Sequence, residues 1–148
     1  MVEFILNNFP NRCWVFDKKV KDGSSMRRPD VFLDMGDYII IIEIDENQHI
    51  SYDCTCSNRR LMELSLDVNH KPIVFLRFNP DKYYDKDNKK IPSCWKIIKE
   101  TGLLKLSNEN DWNKRLNCLK DQINYWIENK NEKMIEPIEL FYDQNLIT

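Results

Sequence analysis

The chain is organised around Tyr38-Ile39-Ile40-Ile41-Ile42-Glu43-Ile44-Asp45. This β-branched run is too short for a bilayer span and too apolar for an edge strand, so it predicts a central strand buried on both faces. Before it, Cys13 to Val20 reads as a strand leading into a Lys-Asp-Gly-Ser-Ser turn, and Asp30 to Asp34 as a second strand, with Met35-Gly36-Asp37 turning into the central one. After it, Leu61, Leu64 and Val68 share a helical face that Asn69 to Pro72 terminates, and Ile73 to Phe78 forms another apolar strand. A strand joined to its neighbour through a helix normally pairs in parallel by a right-handed crossover.

The flanks follow the same logic. Glu3 to Phe9 predicts a short amphipathic helix stopped by Pro10, with Phe4, Ile5 and Leu6 on its buried side. Asn79 to Pro92 is polar, carries Lys82, Lys86, Lys89 and Lys90 among acids, and reads as a solvated loop able to touch a ligand. From Asp111 to Lys130, Trp112, Leu116, Leu119, Ile123 and Trp126 form one helical stripe, and Pro137 to Tyr142 looks like a strand on a sheet edge. The expected architecture is one α/β domain over residues 1–148. It has an αβββαβ core, a mixed central sheet flanked by helices, and a C-terminal helix and edge strand.

With 148 residues, 42% of them hydrophobic and 11% aromatic, the chain can bury a real core. No apolar run reaches bilayer length, and MVEFILNNFP lacks the basic start and long apolar centre of a secretory signal. A soluble, intracellular protein with no membrane partner is expected. Five cysteines without a small-secreted-protein spacing favour reduced thiols. A net charge of −2 means that any nucleic-acid binding must use a local patch.

Chemistry gathers at the end of the central strand. Glu43 and Asp45 are two apart and fall on one sheet face, beside the strand that delivers Asp30. Three carboxylates in a low-dielectric setting repel one another unless a cation joins them, and an all-oxygen set suits Mg²⁺ or Mn²⁺. The bland alternatives are a strand emerging into solvent, or acids paired internally with Arg60 and Arg77. Just past the strand, the Gln48 amide could position water and the His49 imidazole could take a proton or bind phosphate. The competing reading makes both of them polar residues that open a helix. Arg59 and Arg60 start the crossover helix at the same end, where guanidinium groups hold phosphate or neutralise acids. Arg77, between Leu76 and Phe78, is expected to seek a carboxylate. Cys54-Thr55-Cys56 near His49 lacks a second tight pair, which disfavours zinc.

Pro29-Asp30 on one strand, Glu43-Ile44-Asp45 on the next, then a helix and a strand: this pattern resembles the PD-(D/E)xK nuclease superfamily. EIDENQH, followed by an Arg-bearing helix and IVFLRFNPD, resembles more narrowly the branch of very-short-patch-repair endonucleases and small viral endonuclease-like proteins. The likeness covers roughly Arg28 to Asp81. It implies a restriction-endonuclease-like fold and an Mg²⁺- or Mn²⁺-dependent endonuclease acting on DNA, with RNA left open. Asp30 and Glu43 match the motif acids, and Glu3 sits where some members place another metal-site acid. Asp45 stands where the superfamily has a lysine that orients or activates water, and an aspartate supplies no positive charge there. Asp45 is therefore expected to be a third metal ligand, with His49 helping proton transfer. Arg28, Arg59, Arg60 and Arg77 are the expected nucleic-acid contacts. A lone site cuts one strand, which leaves room for a homodimer. The alternatives are an inactive nucleic-acid-binding module of the same fold and a structural or interaction protein.

Overall fold

The computed structural model describes residues 1–45 and 54–143, over residues 54–58 by backbone alone. In chain order its elements are α1 (Val2–Asn8), β1 (Val15–Phe16), β2 (Val31–Asp34), β3 (Ile39–Ile44), α2 (Cys54–Asp67) and β4 (Ile73–Phe78). There follow β5 (Tyr83–Tyr84), β6 (Lys90–Ile91), β7 (Trp95–Ile97), β8 (Leu104–Leu106), α3 (Glu109–Glu128) and β9 (Ile135–Leu140). The main sheet has five strands in the order β1-β2-β3-β4-β9. It is mixed: β1, β2 and β3 form an antiparallel meander, while β4 lies parallel to β3 and β9 parallel to β4.

The isoleucine run is buried on both faces because each face meets a different layer. Ile39 and Ile41, with Ile73 and Phe75, pack with Leu64 and Val68 of α2. Ile40 and Ile42, with Val74 and Leu76, meet Ile5 of α1 and Leu116, Leu119 and Ile123 of α3. Burial of each such side chain contributes about 1.5–3 kcal/mol, so truncating Ile40 or Ile41 to Ala would cost about 2–5 kcal/mol. Tyr38, at the head of β3, donates its hydroxyl to the Trp126 carbonyl at 2.6 Å and ties the sheet to the last turn of α3. No described helix is long and apolar enough to cross a membrane.

Several expectations are corrected. The strand expected over Cys13 to Val20 shrinks to Val15–Phe16, since Asp17 adopts a left-handed φ of 48° that ends the pairing. Leu6 is exposed on α1, because Ile5 takes the core-facing position there. The stretch from Asn79 to Pro92 contains the short β5–β6 ribbon, and a second ribbon, β7–β8, follows it.

Two devices aim the chain at the sheet's carboxyl end. Residues 20–27 lie strapped along α2: Ser25 donates its backbone N–H to Asp67 Oδ1 at 2.9 Å and its hydroxyl to Oδ2, and Arg27 Nε meets Glu63 Oε2 at 2.7 Å. Gly23 permits this approach, since a Cβ there would lie 2.9 Å from Asp67 Cγ. The strap delivers Pro29 and Asp30 to the end of β3. Beyond β4, Arg115 of α3, at 0% exposure, donates Nη1 to the carbonyls of Asn79 (2.9 Å) and Asp81 (2.8 Å) and Nη2 to that of Pro92 (3.1 Å). It pins both ends of the β5–β6 excursion to the helix.

Candidate functional site

Alternation along β3 puts Glu43 and Asp45 on the α2 side, with Ile39 and Ile41. They are only 5% and 4% exposed. Asp30 arrives from β2, where two reciprocal hydrogen bonds tie it to β3. The Asp30 N–H donates to Glu43 Oε2 at 3.1 Å, and the Ile44 N–H donates to Asp30 Oδ2 at 2.8 Å. Asp30 Oδ1 has no partner among the described residues. Arg60 of α2 reaches down with Nε 2.8 Å from Glu43 Oε1 and with Nη2 on the same oxygen.

Arg77 is the β4 residue in register with Glu43, and Glu139 is its partner on β9. It leans along the sheet to Asp45, donating Nε to Oδ2 at 2.6 Å, while Nη1 lies 3.5 Å from Glu139 Oε2. Tyr142 donates its hydroxyl to the same Asp45 oxygen, and its ring lies under the guanidinium at 5.3 Å.

The expected carboxylate trio is thus divided. Asp30 and Glu43 stand together, whereas Asp45 faces Arg77 and Tyr142. Among the described residues no three His, Cys, Asp or Glu side chains gather into one metal-holding group. Burial raises the Glu43 carboxyl to about 7, Arg60 pulls it back, and the neighbouring Asp30 adds to the rise. Asp30, Glu43, Asp45 and Glu139 set four acids against Arg60 and Arg77. Two adjacent carboxylates, one with an uncommitted oxygen, fit Mg²⁺, which usually takes one or two carboxylates and completes its shell with water and substrate phosphate.

The other candidates fall as follows. Gln48, His49 and the Cys54-Thr55-Cys56 side chains lie outside the described residues. Glu3 is exposed on α1, on the opposite side of the sheet from the acids. Arg28 is exposed and bonds the Asp17 carbonyl, and Arg59 pairs with Glu63 one turn along α2. Cys13, Cys94 and Cys118 are free thiols. Burial, and a hydrogen bond to Asp111, push the Cys94 thiol up to about 12, so it stays protonated.

Sequence reasoning missed Tyr142, Glu139 and Arg115. Arg115 left a signal, for it lies three residues after Trp112 and four before Leu119, inside the apolar stripe of α3. Tyr142 left none, since its role depends on the strand pairing of β9.

No family model, curated protein or solved structure matches the chain.

Proposed function

We propose that the chain is a metal-dependent endonuclease that hydrolyses phosphodiester bonds in DNA, built on a restriction-endonuclease-like core. The observation that carries this reading is the Asp30–Glu43 pair, held by reciprocal hydrogen bonds at the carboxyl end of a central strand. The order of elements from α1 to β4, with an antiparallel meander and a parallel crossover, also supports it.

Asp30 and Glu43 would hold Mg²⁺ or Mn²⁺. Such an ion lowers the pKa of the water it binds and offsets charge on the reacting phosphate. The chain's own residues do the rest. The strap along α2 fixes Asp30, the Ile44 N–H orients its carboxylate, and Arg60 opposes the rise that burial imposes on the Glu43 carboxyl. Asp45 acts here as a positioning residue: with Tyr142 and Glu139 it fixes Arg77 beside Glu43, where the guanidinium can stabilise charge developing on phosphate.

Incubation with supercoiled plasmid, linear duplex, single-stranded DNA and RNA, each with Mg²⁺, Mn²⁺ or chelator, tests the proposal. Cleavage that needs metal and disappears in both Asp30→Ala and Glu43→Ala is the expected result. A second reading, a catalytically inactive binding or interaction module, draws on the Glu43–Arg60 and Asp45–Arg77 pairs, which neutralise two acids without metal. It predicts no cleavage under any condition and a melting temperature indifferent to divalent ions.

A further inference from the structure

We infer that the excursion over residues 79–107 is a duplex-docking element, with the β7–β8 ribbon entering a groove of double-stranded nucleic acid. The inference rests on the nuclease reading above and names the surface that would present substrate to it.

Charge is distributed unevenly along the chain. The excursion carries seven lysines and four acids, a net +3 on a chain of net −2. Two of its four acids, Asp81 and Asp85, are turned to local structure, while Asp87 and Glu100 are exposed. Asp85 Oδ1 accepts the backbone N–H groups of Asp87 (3.0 Å) and Lys89 (2.9 Å), and Asp81 Oδ1 accepts the Ser93 hydroxyl at 2.9 Å. Its lysines are left outward. Lys86, Lys89, Lys90, Lys96, Lys99 and Lys105 are exposed and have no acid partner among the described residues.

The ribbon itself is arranged against its own stability. Lys96 and Lys105 are directly opposite across the strands, a like-charge pairing that destabilises a hairpin unless an anion lies between or beside them. On the other face Ile97 opposes Leu104, and Ile97, Leu103 and Leu104 are 65%, 65% and 63% exposed. A two-stranded ribbon has the width that a major groove admits. The apolar end then meets sugars and base edges while the lysines meet phosphate.

The root of the excursion fixes its location. Arg115 holds the Asn79, Asp81 and Pro92 carbonyls, the Cys94 N–H bonds the Pro80 carbonyl at 3.2 Å, and Trp95 packs edge-on against Trp112. These anchors lie on the α3 face of the sheet, so the excursion leaves the carboxyl end of β4, the end that carries Glu43, Asp45 and Arg77, from the face opposite the one those side chains occupy.

The test is fluorescence anisotropy of the full chain on a short labelled duplex in chelator, across a salt series. K96Q/K105Q should weaken binding about tenfold and make the slope of log K against log salt shallower by about 2, one for each lost phosphate contact. K18Q/K19Q, which removes the same charge at exposed positions outside the excursion, should leave the slope unchanged. L103S/L104S should weaken binding with the slope kept. Equal losses in both lysine variants, no loss in K96Q/K105Q, or binding to phosphatidylserine vesicles in place of duplex would overturn the inference. Chelator separates the two proposals. A chain that binds through Lys96 and Lys105 but never cuts with metal retains this surface and loses the nuclease reading, and a chain that cuts with binding indifferent to these lysines does the reverse.

Discussion

Asp45 and Tyr142, 97 residues apart in sequence, meet at a single carboxylate oxygen that Arg77 also holds. The tyrosine donates to an almost fully buried acid, a charge-assisted bond stronger than a neutral one. Tyr142→Phe should therefore cost about 1.5–3 kcal/mol, read by urea denaturation. A change below about 0.5 kcal/mol would show that Asp45 is satisfied without the tyrosine.

If Asp45 positions Arg77, then Asp45→Asn should lower stability and slow cleavage while leaving the Mg²⁺ concentration for half-maximal rate unchanged. A third-ligand role for Asp45 predicts instead a raised requirement with partial rescue by Mn²⁺. Rate against metal concentration decides between them.

Glu43 carries the pH dependence. Its folded-state pKa of about 7 lies above the ordinary 4.5, so the folded state binds the proton more tightly than the unfolded chain does. The resulting stabilisation is fully present below about pH 4.5 and is lost as pH rises through about 7. Relative to Glu43→Gln, the wild type in chelator should lose about 2–3 kcal/mol over that window. Mg²⁺ favours the ionised carboxylate, so its stabilising effect should grow with pH across the same range. Thermal melts at several pH values, with and without Mg²⁺, test both halves.

Arg115→Met should destabilise the chain by about 3–5 kcal/mol, because it leaves the Asn79, Asp81 and Pro92 carbonyls without their donor and removes the cation paired with Asp111. Hydrogen exchange should rise first across residues 79–94. Uniform loosening of the whole sheet would argue against a local clamp.

What sequence could reveal follows from the range of each interaction. The isoleucine run, the stripe of α3 and the crossover between β3 and β4 depend on periodicities within a few residues, and each lies where expected. The Glu43–Arg60 and Asp45–Arg77 contacts span 17 and 32 residues. They could be named as candidate pairs, because Arg60 and Arg77 had to neutralise something, but the assignment of each arginine to its acid required the register. The separation of Asp45 from Asp30 and Glu43 was invisible for the same reason: alternation fixes the shared face, not which neighbour a carboxylate turns toward. The ribbons β5–β6 and β7–β8 use strands of two or three residues, too short for any alternation to register against their lysines.

The two margins of the main sheet resist extension. At one, β1 offers only two residues, and at the other, β9 carries Pro137, which has no N–H to donate, between Glu136 and Glu139. Two copies would therefore not join by continuing the sheet from one molecule into the next. On the nuclease reading, any pairing of two copies on a duplex would have to use helices or loops, and the two sheets would stay separate.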